Sequence, residues 1–378
     1  MTPLFFVYPL RLLYLGLPTL ATENVEPMKI THIRIENLRI IRNMELDPGK
    51  GLNIIYGDNG AGKTSILEAI FLLGQGKSFR HAEAGPIIRK GEKSTQVVAE
   101  LQANTGVTST LGIQRNKQQF VARNAGQDIS RRSELFRLLP LQLITPQSHE
   151  LIEKGPELRR RYLDFGLFHV ERSYHQTLMA YQRALKQRNA GLRTGNIRLA
   201  HSFDEQLIVL SDTIIERRSY LLSMVEKQLS VFLDAIDFSF SVELSLSKGW
   251  KTDISLQEAF QKTEQQDLSQ GYTSAGIHRA QLKILADGVP ASKVLSRGQQ
   301  KLMVYGLVLS LSRLIADKTS EPPLLLIDDL GAELDQSNIQ KILNYLHTLD
   351  AQSFITVLDK EKYQLPTGSR VFHVEHGS

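Results

Sequence analysis

The sequence predicts an α/β fold in which a sheet-bearing lobe with an antiparallel β patch is interrupted by an inserted helical lobe. Three observations carry this. Leu52–Tyr56 is a short apolar, β-branched run that enters a glycine-rich loop and then a helical pattern from Ser65 to Leu73. Far downstream, Leu324–Ile327 is a second buried-strand pattern and ends in Asp328 and Asp329. Between them, residues 158–188 and 200–235 are long amphipathic stretches joined at Gly191–Gly195.

Taken in order, residues 4–20 are apolar but broken by Arg11, Pro9 and Pro18, too short and interrupted to span a membrane, and no other segment is a candidate. They lack the basic start of a signal peptide. Residues 1–27 are therefore read as an upstream extension, with folded structure from Met28. Lys29–Leu38, with Ile30, Ile33 and Ile35 among polar residues, reads as a strand. Residues 97–101, 109–114 and 119–123 read as strands of the antiparallel patch, split by Asn, Gly and Lys turns. Strand character returns at 238–246, and a polar stretch at 263–274 leads back to the sheet-bearing lobe. The expected division is 28–150 for the first half of that lobe, 151–262 for the helical lobe and 263–378 for the second half. The 42% hydrophobic and 22% charged residues fit a folded protein, not a fibrous or disordered one. The absence of cysteine excludes disulfides, thiolate metal sites and cysteine nucleophiles.

Gly57-Asp58-Asn59-Gly60-Ala61-Gly62-Lys63-Thr64 fills every fixed position of the Walker A pattern, and its strand and helix flanks are right. The glycines let the backbone curl so that successive N–H groups converge on phosphate oxygens, and the helix start adds a positive dipole. Residues 57–65, ending at Ser65, thus form the candidate ATP cradle. Lys63 is placed to reach the β- and γ-phosphates, and Thr64 to ligate Mg²⁺. Leu324–Asp329 has the Walker B form: Asp328 is the candidate Mg²⁺ holder and Asp329 the acid that polarises the attacking water. Leu295-Ser296-Arg297-Gly298-Gln299 looks like the ABC signature, so Ser296, Gly298 and Gln299 are candidate γ-phosphate contacts for a nucleotide held by a second subunit. The same residues also read as an ordinary capped helix, Ser296 as cap and Gln299 three residues on. Gly331–Asp335 resembles a D-loop. Four motifs in this order specify an ABC-type P-loop ATPase lobe that dimerises around ATP.

Within that superfamily, the chain from Met28 onward resembles the RecF family of bacterial DNA replication and repair proteins. The carrying residues are 29–40, 56–64, Gly76–Arg80, Thr145-Pro146, Gly155-Pro156, Arg159–Asp164, Gly276–Arg279 and Ser296–Lys301. The resemblance implies a cytoplasmic, ATP-driven homodimeric clamp on double-stranded or gapped DNA, with slow hydrolysis, no membrane partner, RecO and RecR as partners and RecA loading as the outcome. The sequence departs from the family where Ala280-Gln281 replace two acids and where Gln147 follows Pro146 in place of Glu. Gln147 is the candidate Q-loop glutamine. No switch histidine follows 354–357, and Asp329 stands where Glu is commoner; both point to slow turnover. The missing histidine also leaves open a binding switch without useful turnover. A transporter subunit and an SMC- or Rad50-like tethering head would also carry an ABC-type ATPase lobe, the latter requiring heptad arms that the insert is too short to supply.

From Lys154 to Arg198 ten basic residues face three acids, the clustering that phosphate-backbone binding needs. Arg159, Arg160, Arg161, Arg183, Lys186 and Arg188 are the candidate DNA contacts, against the plainer reading of a solvated helix face. Arg131 and Arg132, with Arg115, Lys117 and Arg123 nearby, form a second candidate cluster. His278 and Trp250 read as packing residues.

Overall fold

The computed structural model describes residues 28–80 and 85–377. The segment read as an upstream extension, 1–27, lies outside the described residues. The chain forms two compact units, one comprising the residues up to Glu150 with Phe232–Phe238 and Ser296–Ser378, the other Leu151–Val231 with Ser239–Leu295.

The first unit begins with β1 (Lys29–Leu38) and β2 (Ile41–Leu46), then β3 (Leu52–Tyr56) and the helix α1 (Lys63–Gln75). A β-bulge between Ile30 and His32 shifts the alternation of β1 by one residue, so that Ile30, Ile33 and Ile35 are all buried. Strands β4 (Ser94–Gln102), β5 (Thr108–Asn116), β6 (Phe120–Asn124) and β7 (Gln127–Asp128) follow, and with β1 and β2 form an antiparallel sheet in the order β2-β1-β4-β5-β6-β7. Next come α2 (Arg132–Leu138) and β8 (Leu141–Ile144).

The second unit carries α3 (Glu150–Glu153) from Leu151 on, α4 (Pro156–Val170), α5 (Tyr174–Arg193), α6 (Ile197–His201) and α7 (Asp204–Ala235) as far as Val231. It closes with β9 (Val242–Ser247), α8 (Leu256–Gln270), β10 (Gln281–Ala286), β11 (Val289–Pro290) and α9 (Ala291–Val294). The chain then returns to the first unit as α10 (Arg297–Thr319), β12 (Leu324–Ile327), α11 (Gln336–Thr348), β13 (Ser353–Val357) and β14 (Arg370–His373).

A parallel sheet in the order β14-β3-β13-β12-β8 completes the first unit. Parallel and antiparallel strands are thus segregated into separate sheets. α1 packs against both: its Ile66, Leu67, Ile70 and Leu73 share one apolar cluster with Ile33, Val97 and Leu101 and with Ile55, Leu326 and Phe354. A helix covered on several sides needs apolar residues all round, and every residue from Ser65 to Gln75 is buried.

The boundary expected at residue 262 falls instead at Leu295, because β9 pairs antiparallel with β10 and holds the intervening chain in the second unit. The polar stretch at 263–274 falls largely within α8, started by a Ser255–Glu258 capping box and anchored through buried Leu256, Ala259 and Phe260. The stretch 158–188 is broken at Glu171–Ser173, with no Gly or Pro to announce it. A buried network holds that turn: Tyr174 donates to Asp164, and Arg218 bonds Asp164 at 2.7 Å. Phe232–Phe238 joins the first unit because Phe232 packs edge-on against Tyr345 and Lys341 bonds the Ile236 carbonyl at 3.0 Å. Among the described residues no helix is long and apolar enough to cross a membrane.

Candidate nucleotide site

The loop between β3 and α1 is shaped by glycines in the left-handed region: Gly57 at φ 147, Gly60 at φ 84 and Gly62 at φ 119. Asp58, Asn59 and Gly60 are exposed at its crest, while Ala61, Gly62 and Ser65 are buried. Lys63 Nζ donates to the carbonyls of Gly57 (2.6 Å) and Asp58 (2.9 Å), so its ammonium lies inside the curl of the loop. Burial lowers the pKa of Lys63, and Asp329, Asp328 and Asp58 hold against that shift. A phosphate group entering the curl would exchange those two carbonyls for charged oxygens, which bind an ammonium more strongly.

The C-terminal edge of the parallel sheet brings the second motif to the first. Thr64 Oγ1 donates to Asp328 Oδ1 at 2.9 Å across 264 residues of sequence. Thr356 Oγ1, at the end of β13, also donates to Asp328 Oδ1 at 2.9 Å and accepts the Asp329 N–H at 2.7 Å. Burial raises the Asp328 pKa, and the Thr64 and Thr356 hydroxyls oppose the shift. Thr64 and Asp328 offer hard oxygen donors, and so few of them suits Mg²⁺, which takes most of its ligands from phosphates and water. Asp329 has a left-handed backbone at φ 53, a conformation that costs energy in a residue bearing a side chain. Gln147 is exposed on the single turn Pro146–His149 that follows β8. Because Ile144 pairs with Ile327 and its carbonyl accepts the Asp328 N–H at 2.8 Å, that turn lies at the same sheet edge as the two acids.

Ser296 caps α10 in a reciprocal box: Ser296 N–H donates to Gln299 Oε1 at 2.9 Å, and Ser296 Oγ accepts from Gln299 N–H at 3.3 Å. Ser296 remains exposed, and its hydroxyl hydrogen is not consumed by the cap. Gly298 lets the Glu333 carbonyl approach, since a Cβ there would lie 3.0 Å from that oxygen. Lys301, fully buried, donates to the Ala332 carbonyl and is surrounded by Glu333, Asp329 and Asp328. The signature helix and the D-loop of one chain are therefore tied together.

Sequence reading missed two contributors. Thr356 occupies the strand end next to which a switch histidine would stand; nothing local distinguishes it from any strand threonine. The other is the C-terminal segment, where Val374 N–H donates to the Tyr56 carbonyl at 2.9 Å and Gly377 N–H to the Ala61 carbonyl at 2.8 Å. A Cβ on Gly57 would overlap the Val374 carbonyl. The tail thus braces the phosphate loop from outside. Deleting residues 374–378 is expected to weaken ATP affinity by about tenfold, the worth of one or two hydrogen bonds that shape the loop. Titration with a fluorescent ATP analogue checks this, and unchanged affinity would remove the brace.

The DNA candidates divide sharply. Arg188 is buried at 1% exposure, bonded to Asp204 (2.7 Å), Asp267 (3.1 Å) and Thr273 (2.8 Å), with its guanidinium 4.3 Å from the Phe260 ring centre. It is a core residue of the second unit, and its assignment to DNA is corrected. Arg159 donates to the carbonyls of Leu151 (3.0 Å) and Lys154 (2.8 Å), closing the end of α3. Arg160 bonds the Ala280 carbonyl at 2.7 Å, and Arg161 pairs with Glu157. Arg183 and Lys186 are exposed on α5.

His278 is also committed internally, its Nε2 facing the Thr273 carbonyl at 2.8 Å and its Nδ1 the Tyr181 hydroxyl at 2.7 Å. Trp250 Nε1 donates to the Ile254 carbonyl at 3.2 Å. Burial pushes the His278 imidazole down to about 4; the Thr273 carbonyl opposes the shift, while Arg279 and Arg160 add to it. A depressed folded value means the unfolded chain takes up the proton first. Stability present above pH ~6.5 is therefore lost as pH falls toward the folded value. Melting curves from neutral to acid pH should show a loss on the order of 2–3 kcal/mol from this group, and His278→Gln should flatten it.

The sequence matches the RecF/RecN/SMC N terminal domain family over residues 29–377. The DNA replication and repair protein RecF of Pseudomonas paraeruginosa is 38% identical over 361 residues, covering 93% of this chain and 97% of the relative. That of Thioalkalivibrio sulfidiphilus is 36% identical, covering 93% and 99%. Among solved structures, the recombination mediator protein RecF with ATP, in the RecFOR pathway, superposes with a TM-score of 0.79 at 27% identity, covering 94% of this chain and 97% of that one. An Smc head bound to the C-terminal winged-helix domain of ScpA shares the fold at a TM-score of 0.56, 14% identity and coverage of 88% and 90%. A likeness that spans both units and nearly the whole of each RecF relative is that of a family member: the chain belongs to the RecF family of DNA replication and repair proteins.

Proposed function

We propose that this protein binds and slowly hydrolyses ATP with Mg²⁺, dimerises around the nucleotide, and closes as a clamp on duplex or gapped DNA in recombinational repair. The observation that carries the proposal is the division of the site. Thr64 of the Walker A segment is bonded to Asp328, which supports reading them together as a phosphate and metal cradle, while the Ser296 cap is exposed and its helix is tied to the D-loop of its own chain. In an ABC-type sandwich, Ser296, Gly298 and Gln299 of one subunit would receive the γ-phosphate held by Lys63 of the other. Asp329, its amide fixed by Thr356, would orient the water, and Gln147 would sense phosphate and Mg²⁺. The solved relative named as a RecF–ATP complex of the RecFOR pathway supports the nucleotide and the setting. RecO and RecR as partners and RecA loading follow from the family resemblance.

ATPase rate per monomer, measured across a protein dilution series with and without gapped duplex DNA, tests the reading. Specific activity that rises with concentration and with DNA is expected. A rate indifferent to both would remove the sandwich and the clamp, and binding without measurable turnover would leave a nucleotide switch.

A further inference from the structure

We propose that Arg115 and Arg132, set on either side of the Phe120 ring, form a binding site for DNA backbone phosphate on the antiparallel sheet. The inference rests on the reading of the protein as a DNA clamp and assigns that role to a particular pair of side chains.

The local structure builds the pair deliberately. Arg115 lies directly across the β5–β6 ladder from Phe120. The turn between these strands is ordered by Asn116, whose side-chain oxygen accepts the N–H groups of Gln118 (2.8 Å) and Gln119 (2.6 Å). Arg132 starts α2, and its guanidinium carbon is 5.7 Å from the Phe120 ring centre; that of Arg115 is 5.8 Å away. Gly76, in the left-handed region at φ 63 where α1 ends, leaves room for the three, since a Cβ there would lie 3.2 Å from Phe120 and 3.4 Å from Arg132. Aromatic faces hold guanidiniums in fixed planes while leaving their donor edges free.

What the pair lacks, among the described residues, is an acid. Arg115 Nε is buried without a hydrogen-bond partner there. Burial and, for Arg132, the neighbouring Arg115 lower both pKa values, and no carboxylate opposes either shift. From residue 115 to 137 the chain has six basic residues and two acids, and Asp128 is already paired with Arg123 at 2.7 Å. Elsewhere the partly buried arginines are answered by acids or by backbone carbonyls: Arg39 by Glu68, Arg188 by Asp204 and Asp267, Arg218 by Asp164, Arg159 by the Leu151 and Lys154 carbonyls and Arg160 by that of Ala280, whereas among the described residues Arg115 and Arg132 have neither. Two like charges brought together without a counter-charge are stabilised by an anion from outside. Bidentate, planar recognition suits a phosphodiester, and exposed Lys117 on the adjoining turn extends the charge along a backbone. α1 runs from Lys63 to this cluster, about 20 Å, so the nucleotide loop and the arginine pair stand at the two ends of one buried helix.

The test is the affinity of the full chain with ATP for a fluorescein-labelled gapped duplex, by anisotropy, between about 50 and 200 mM salt. The double variant Arg115→Gln/Arg132→Gln is expected to lose about tenfold or more in affinity and to lower the salt slope by about 1.8, the value for two phosphate contacts. Arg115→Lys/Arg132→Lys should keep most of the slope, because it keeps the charge. Gln118→Glu, on the exposed turn and removing no packed group, should weaken binding by repulsion, so the test does not depend on the double variant folding. Wild-type slope and affinity in the Gln pair and in Gln118→Glu would overturn the phosphate site and leave the arginines as packing for Phe120. Wild-type protein that shows no salt-dependent DNA affinity would overturn the clamp reading itself.

Discussion

Lys63→Met is expected to lower ATP affinity by roughly 10- to 150-fold, the loss of charge-assisted hydrogen bonds worth about 1.5–3 kcal/mol, and to abolish measurable turnover. The side chain lies inside the loop, 2.6 Å from the Gly57 carbonyl, where it can exchange one set of oxygens for another without reorganising the backbone. Methionine fills the same channel but cannot bond a phosphate. Ser296→Arg should behave differently. Ser296 is exposed and its side chain bonds Gln299 of its own helix, not the phosphate loop, so a single subunit should bind ATP as wild type does. A guanidinium in place of the small cap would occupy the position of the incoming γ-phosphate and also remove the Gln299 bond. Dimerisation and the concentration-dependent part of the ATPase rate should vanish. Nucleotide titration and sedimentation on both variants separate these outcomes; equal loss of ATP binding in the two would contradict the division of roles.

The second large effect is on stability. Arg188→Ala is expected to destabilise the second unit by about 3–5 kcal/mol, because it leaves Asp267, with 0% side-chain exposure, without its cation and exposes the lining of Phe260 to a cavity. A folded variant would show a lower melting temperature, and any loss of DNA binding would follow the unfolded fraction. Arg183→Glu/Lys186→Glu reverses two exposed charges on the same helix and should melt like wild type while binding DNA more weakly. Reduced DNA affinity in a fully folded Arg188→Ala protein would restore Arg188 as a contact.

These contrasts mark where sequence reading reached its limit. On α5, helical periodicity puts Arg188 on the buried stripe of Tyr174, Leu178, Tyr181, Ala184 and Leu192 and leaves Arg183 off it, a signal that counting basic residues between 154 and 198 passed over. What periodicity does not encode is the set of partners that lets Arg188 be buried, Asp204, Asp267 and Thr273, between 16 and 85 residues away. Arg39 and Ser78, both in segments that carry the family resemblance, were legible as residues but not as a pair; both bond Glu68, buried on α1. The break at Glu171–Ser173 escaped for the same reason, since the Asp164–Tyr174–Arg218 network, not a Gly or Pro, holds the turn.

The sequence by itself determined the phosphate loop, the acid-ended strand and the signature cap, because each is built from backbone conformations and hydrogen bonds within a few consecutive residues. Gly57, Gly60 and Gly62 dictate the curl, and Ser296 with Gln299 dictates the helix start, whatever surrounds them. Only the tertiary structure decided that Thr64 meets Asp328, that Thr356 holds both Walker B acids, and that Val374 and Gly377 brace the loop. It also decided which carboxylate meets each buried arginine. Burial and charge pairing are properties of the packed chain, set by strand order and by helices brought together over hundreds of residues, and so they become legible only once the sheets are assembled.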